Sequence, residues 1–339
     1  MGTCQVALKV KVTIPGQPKN SNMHQYVGTN FEYTNNLKFF INPTNPFRVY
    51  DVWFVMDDVN NIVDFTLVKG GRIVYLQAET ALEEGFFKTA AMQSYLEAYS
   101  LVAGCFDFGR LVSSLKLPPF LPWMLNFNHG QSIFQDTKYD YNFLRKTNFS
   151  SEKDKQICVI CSSKRNTEGQ RMRYEFVRKL VYDFNGKIDW FGEGVRPIDK
   201  KIDVLKRYKY SIVIENTQLN DLFSEKLVDC FLTNTYPIYF GCKNIYDYFP
   251  KESVSIINIH DYEGSLKVIH SVLSKKNQFD NIEALENAKI IAMDEYGLFN
   301  RISKLAHKVC FKVINTTAPV KLLVIPKHIV YRIIYKWIR

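Results

Sequence analysis

The chain has 339 residues, 46% hydrophobic and 23% charged, with only 16 Gly and 12 Pro, which provides for packed cores and excludes a disordered, collagen-like or low-complexity chain. That length points to two domains. The net charge of +10 is uneven, because residues 301–339 hold nine Lys and Arg and no Asp or Glu; the near-neutral remainder excludes a uniformly basic nucleic-acid-binding domain.

No apolar run reaches the roughly 18 residues that span a bilayer, and residues 1–11 lack the continuous apolar stretch of a signal peptide. Val6 stands where a myristoylation pattern after Gly2 needs Ser or Thr. Seven cysteines without a secretion signal read as reduced thiols in a cytoplasmic setting.

From Arg48 onward apolar runs alternate with helical patterns. Residues 49–56 and 72–77 read as strands, 83–99 as a helix and 101–106 as a short buried strand. A Pro-broken stretch at 117–123 precedes a polar, charged one at 146–155, and the inter-domain linker is expected near 145–155. Strands then follow at 156–161, 187–191, 210–214 and 236–240, with helices at 168–183, 199–207 and 223–232, and residues 254–259 precede another helical run. Such alternation predicts α/β architecture with largely parallel sheets. Ligands in open α/β sheets bind outside the carboxyl ends of strands, so function is expected just after Cys161, Ile214 and Phe240.

Cys158 and Cys161 form one CxxC, but no second pair completes a zinc site. In a strand, side chains three apart point to opposite faces, so both are read as buried packing. On the 223–232 helix, Phe223, Leu227, Cys230 and Phe231 make an apolar stripe. That leaves Glu225 and Lys226 in the first turn, capped by Asp221 or Ser224. A helix N-terminus attracts anions. On spacing alone, this turn is either a diphosphate and ribose site or a solvated turn that merely suits the helix dipole.

The run Tyr208-Lys209-Tyr210-Ser211-Ile212-Val213-Ile214-Glu215-Asn216-Thr217, then Ser224-Glu225-Lys226-Leu227, then Pro237-Ile238-Tyr239-Phe240-Gly241-Cys242 with Asn244, resembles the signature of glycosyltransferase family 10. These are the α1,3/α1,4-fucosyltransferases. The resemblance is strongest over 156–260 and weak before 145. Leu222 stands where the family usually has Tyr, and Ser224 where it has Thr. It implies a GT-B fold, two Rossmann-like domains facing across a cleft, here divided as 1–150, 151–310 and a basic tail, 311–339. It also implies an inverting transferase taking fucose from GDP-fucose to a hydroxyl of a glycan or glycolipid acceptor. Carried over by position, Asn216 and Glu225, beside Glu215, would meet ribose or sugar hydroxyls and Lys226 the diphosphate. Cys161-Ser162-Ser163-Lys164 followed by Arg173 resembles the family's Ser-Asn…Arg stretch, which adds Lys164 and makes Arg173 the clamping arginine.

No DxD metal motif occurs in the sequence; no metal cofactor is expected, and Lys226, Arg173 and helix dipoles would meet the leaving-group charge. Inversion needs a general base for the acceptor hydroxyl. The stretch Tyr75-Leu76-Gln77-Ala78-Glu79 resembles the family's strand-then-Glu segment and assigns that role to Glu79, with His129 as the outside candidate. Gly192-Glu193-Gly194 reads as no more than a tight turn. Three alternatives stand beside this reading: a related GT-B transferase for another nucleotide sugar, a nucleotide-sugar-binding protein without catalysis, and a nucleic-acid binder using the basic tail. In 326–339, Ile329, Val330, Ile333, Ile334 and Trp337 share a helical face that Lys327, Arg332, Lys336 and Arg339 avoid. That pattern predicts a peripheral enzyme on the inner face of a membrane, held to anionic lipid by this helix, unless the stripe packs on the body of the protein.

Overall fold

Val, Ile, Phe and Tyr concentrate where the chain builds two parallel sheets, each in its own compact unit. A computed structural model describes residues 7–15, 36–59, 63–78, 84–109, 113–126, 139–274, 282–310 and 317–323. The first unit comprises residues 1–120 and 298–339, and the second residues 121–297.

The first unit contains β1 (Leu8–Thr13), β2 (Leu37–Ile41), β3 (Val49–Tyr50), β4 (Val52–Met56), β5 (Val63–Lys69), β6 (Ile73–Leu76), α1 (Glu84–Phe87), α2 (Ala90–Leu96), β7 (Leu101–Gly104) and β8 (Ser114–Lys116). Its main sheet runs β2-β1-β4-β6-β7-β8, parallel throughout. Every residue of β4 and β6 is buried, as expected of parallel strands covered on both faces. The helix expected over 83–99 is two short ones. Thr89 is extended and returns its hydroxyl to the Phe86 carbonyl at 2.8 Å, the side-chain competition that interrupts helices.

The second unit contains α3 (Tyr141–Lys146), β9 (Lys155–Ile160), α4 (Glu168–Asp183), β10 (Asp189–Phe191), α5 (Lys201–Leu205), β11 (Tyr208–Ile214), α6 (Glu225–Leu232), β12 (Tyr236–Phe240), β13 (Ser255–Ile256), α7 (Tyr262–Ser274) and α8 (Ile282–Asp294). Its sheet runs β10-β9-β11-β12-β13, again parallel. Numbered within each sheet, both units begin 2-1-3-4-5, the doubly wound order that reverses between its first and third strands.

The division differs from that expected. Residues 145–155 lie inside the second unit, and α9 (Leu298–Cys310) returns to the first. Arg301 on α9 explains the return: it donates to the Pro119 and Pro118 carbonyls at 2.7 and 2.5 Å and lies over the Phe120 ring. Phe299 packs edge-on against Phe39. Within the stretch read as a tail, β14 (Thr317–Leu323) pairs antiparallel with β5, whose other neighbour is β3. Residues 311–316 and 326–339, the latter holding the expected amphipathic helix, lie outside the described residues.

Candidate functional site

The second sheet reverses between β9 and β11, and their carboxyl ends open on a cavity of about 180 Å³. Its polar lining includes Ser162, Arg173, Lys201, Glu225, Lys226 and Asp229. This is the crevice where doubly wound sheets bind ligands.

The site is built from Glu215, the residue after β11. Its side chain is buried and accepts the Ser224 amide at 2.9 Å, the Ser224 hydroxyl at 2.7 Å and the Lys226 ammonium at 3.1 Å. Gly241 permits this, since a Cβ there would lie 2.5 Å from Glu215 Cγ. Ser224 is the N-cap of α6, and its oxygen accepts the Lys226 amide. One carboxylate thus fixes both the start of the helix and the lysine in its first turn. Burial alone would lower the Lys226 pKa, but Glu215 and Glu225 outweigh it and hold the ammonium charged. Burial acts to raise the Glu225 carboxyl, yet Lys226 and Lys201 bring it down to about 2.

Arg173 enters from α4. That helix starts at a capping box, with Thr167 Oγ1 accepting the Gln170 amide and Gln170 Oε1 the Thr167 amide. Its first turn lies directly on the end of β11: a Cβ on Gly169 would sit 1.8 Å from the Asn216 carbonyl oxygen. Arg173 is buried, not solvated, and its Nε has no hydrogen-bond partner; neither has the buried Asn216 Oδ1. Buried polar atoms are almost always bonded, so the unpartnered Arg173 Nε on a cavity wall calls for an explanation.

The structure gathers Arg173, Glu225 and Lys226 on the cavity wall. Three other expected residues, Glu215, Lys164 and Asn216, do not line the cavity. Glu215 is turned inward as the support of Lys226 and does not line the cavity. Lys164 makes a half-exposed ion pair with Glu193 at 2.7 Å, where the loop after β9 swings away from the cavity. Asn216 follows Glu215 but is not among the lining residues. Glu79 and His129 lie outside the described residues. Asp221, the other cap candidate, has φ 63° and binds the Asn244 side-chain amide at 2.9 Å, and Leu222 is fully buried. Gly192 and Gly194 have φ of 139° and 75°, as a tight turn requires. Cys158 and Cys161 are buried free thiols. Among the described residues no group of three or more His, Cys, Asp or Glu is placed to hold a metal ion, and no helix is long and apolar enough to cross a membrane.

The family motif does not include Lys201 or Asp229. Lys201 opens α5 and lies 3.0 Å from Asp229. The available signal was spacing, because Glu225 and Asp229 are four apart and share a helix face.

Residues 150–284 match the family model described as "Glycosyltransferase family 10 (fucosyltransferase) C-term". Over this segment the chain is similar to glycosyltransferase family 10. The matched segment contains every cavity residue named above. The α-(1,3)-fucosyltransferase FucT of Helicobacter pylori is 34% identical over 67 residues, which is 20% of this chain and 13% of that protein. A putative fucosyltransferase-like protein of Arabidopsis thaliana is 37% identical over 82 residues, 23% of this chain and 16% of its own length. The chain thus spans less than a fifth of the curated relatives it matches. Among solved structures, the N-terminal domain of Candida albicans trehalose-6-phosphate phosphatase superposes with a TM-score of 0.53 at 9% identity, covering 91% of this chain and 98% of that one. The fold is of the GT-B class.

Proposed function

We propose that this chain is an inverting, metal-independent glycosyltransferase that moves fucose from GDP-fucose to a hydroxyl of a glycan or glycolipid. The observation that carries the reading is the convergence of Arg173 and Lys226 at the strand reversal of the segment similar to family 10, with Arg173 Nε buried and unpartnered. A departing nucleoside diphosphate develops negative charge on its phosphate oxygens, and preorganised cations in a water-poor site stabilise that charge. Lys226 cannot turn away, because Glu215 and Ser224 hold it. The α6 N-terminus adds amide dipoles of the same sign. Glu225 and Asn216 offer acceptor oxygens for ribose or sugar hydroxyls.

In the transfer, the acceptor oxygen attacks the anomeric carbon from the face opposite the diphosphate. The bond to the β-phosphate oxygen breaks, its electron pair leaves with GDP, and the acceptor proton passes to the Glu79 carboxylate. The basic helix over 326–339 would hold the enzyme to the anionic inner face of a membrane. Truncation before Pro326 is expected to abolish co-sedimentation with anionic vesicles while sparing activity on a water-soluble acceptor.

The test of the whole reading is nucleotide release from a panel of nucleotide sugars in the presence of EDTA. Release of GDP from GDP-fucose, raised by a glycan acceptor, supports it. Turnover of another nucleotide sugar only, or none until a divalent cation is restored, overturns it.

A further inference from the structure

Lys201 and Asp229 line the cavity yet have no part in the reading above. The Lys201 ammonium lies 3.0 Å from Asp229 Oδ2 and 3.8 Å from Glu225 Oε1. Lys226 approaches Glu225 through the same oxygen, at 3.7 Å. Two ammonium groups from different helices therefore grip one oxygen of one carboxylate. Asp229 is in turn fixed: it is 1% exposed, and its Oδ1 accepts the Met124 amide at 2.9 Å. With both oxygens engaged, Asp229 is an anchor for Lys201, not a ligand group. Met124 is itself tied to α5, since the next carbonyl, of Leu125, accepts the Ile202 amide at 3.1 Å. The N-terminus of α5 is thus joined to the middle of α6 through this one buried acid.

Buried ion pairs are weak stability devices, because the cost of desolvation offsets most of the attraction. Their better-attested use is to fix one arrangement among several. Here the element to be fixed is Glu225, an ionised side chain on the cavity wall. A carboxylate held at one oxygen presents the other in a set direction.

We propose that Lys201, anchored by Asp229, is a positioning residue that orients Glu225 to accept a hydroxyl from a sugar ring flanking the donor diphosphate. The proposal rests on the nucleotide-sugar reading above. Two rings flank that diphosphate, the ribose and the transferred sugar, and both present hydroxyls.

Calorimetry on the full chain with GDP, 2′,3′-dideoxy-GDP and GDP-fucose separates them. The dideoxy compound removes the ribose hydroxyls, and GDP-fucose adds those of the sugar. Wild-type protein is expected to favour the hydroxyl-bearing member of one pair by about ten- to a hundredfold, the range for a hydrogen bond to a charged group. Lys201→Gln is expected to bring that preference within about threefold while leaving dideoxy-GDP affinity, which depends on Arg173 and Lys226, unchanged. Lys201→Arg restores the charge and with it part of the preference. If Lys201→Gln does not fold, Lys201→Met supplies the same ratio. Unaltered discrimination in these variants, or an equal loss for all three ligands, overturns the proposal. Wild-type protein that binds none of the three overturns the nucleotide-sugar reading on which it stands, an outcome distinct from the other two.

Discussion

Both units use the same strand order, and the carboxyl ends at their reversal points could hardly differ more. In the first unit several described polar groups near that point pair with one another. Asn42 exchanges two 2.9 Å hydrogen bonds with the backbone of Ile14, just past β1. The Trp53 indole donates to Thr13 at 2.9 Å, and Lys11 pairs with Asp64 at 3.0 Å while lying over the Trp53 ring. In the second unit the equivalent place collects Arg173, Lys201 and Lys226 around Glu225 and Asp229, with the buried Arg173 Nε unpartnered. Topology provides the location of a crevice in both sheets. Among the described residues, the second gathers buried cations on a cavity wall at this point, which is why the donor site is proposed there.

The largest expected effect tests the first unit's share in that reading, the proposed base. Glu79→Gln should lower turnover by about 10²–10⁴-fold, the usual contribution of a general base, with GDP affinity unchanged. Near-normal turnover in a steady-state assay would move the role, with His129 next to examine. Binding is the complementary test. Lys226→Ala and Arg173→Ala should each weaken GDP by about ten- to a hundredfold, whereas Asn42→Ala in the first unit should leave GDP affinity alone in calorimetry. An equal loss from Asn42→Ala would erase the contrast between the two reversal points.

A smaller contrast concerns glycines. Gly169 lies against the Asn216 carbonyl, whereas a Cβ on Gly85 of α1 would meet nothing within 4 Å. Overpacking costs typically about 1–3 kcal/mol, so Gly169→Ala should lower the melting temperature and weaken GDP binding together. Gly85→Ala should instead stabilise by up to about 1 kcal/mol, as alanine exceeds glycine in helix propensity. Thermal melts of the two variants give the comparison, and unchanged melting of Gly169→Ala would refute the close approach.

The second unit was far more legible in the sequence than the first. Its strands are continuous apolar runs between clear helices, and the helix expected over 168–183 and the strand over 236–240 have the boundaries observed in α4 and β12. In the first unit, β1, β2, β5 and β8 escaped notice: β1 carries Lys9 and Lys11 between its apolar residues, and the exposed β8 has only three residues. The return of α9 was invisible because Arg301 reads as a solvated cation, and only the fold shows it buried on the Pro118 and Pro119 carbonyls. At the site, spacing and the family resemblance singled out Glu225, Lys226 and Arg173, which the structure places on one cavity wall. Neither could tell that Glu215 faces inward, since a carboxylate after a strand reads alike whether it meets a ligand or a lysine. Lys201 and Asp229 escaped because they lie 28 residues apart in sequence, on different helices.

The smallest effect sharpens the comparison inside the cavity itself, between its two carboxylates. Burial raises Asp229 to about 6 against the pull of Lys201, while the lysines bring Glu225 down to about 2. Their linkage to stability therefore has opposite signs. A carboxyl raised in the fold binds a proton that the unfolded chain has already released, so the contribution of Asp229 falls as pH rises from its ordinary 3.8 to about 6 and is constant above. Glu225 contributes stability that is complete above its ordinary 4.5 and is lost as pH falls toward about 2. In Asp229→Asn the first effect disappears. Lys201 stays protonated and Glu225 almost wholly ionised between about pH 4 and 8, so the lost ion pair adds a nearly constant offset. The unfolding free energy of Asp229→Asn minus that of the wild type should then rise from about pH 4 to about 6 and level off, as followed by urea titrations. A difference flat across that window would mean that Asp229 titrates as an ordinary carboxylate and is not the buried anchor of Lys201.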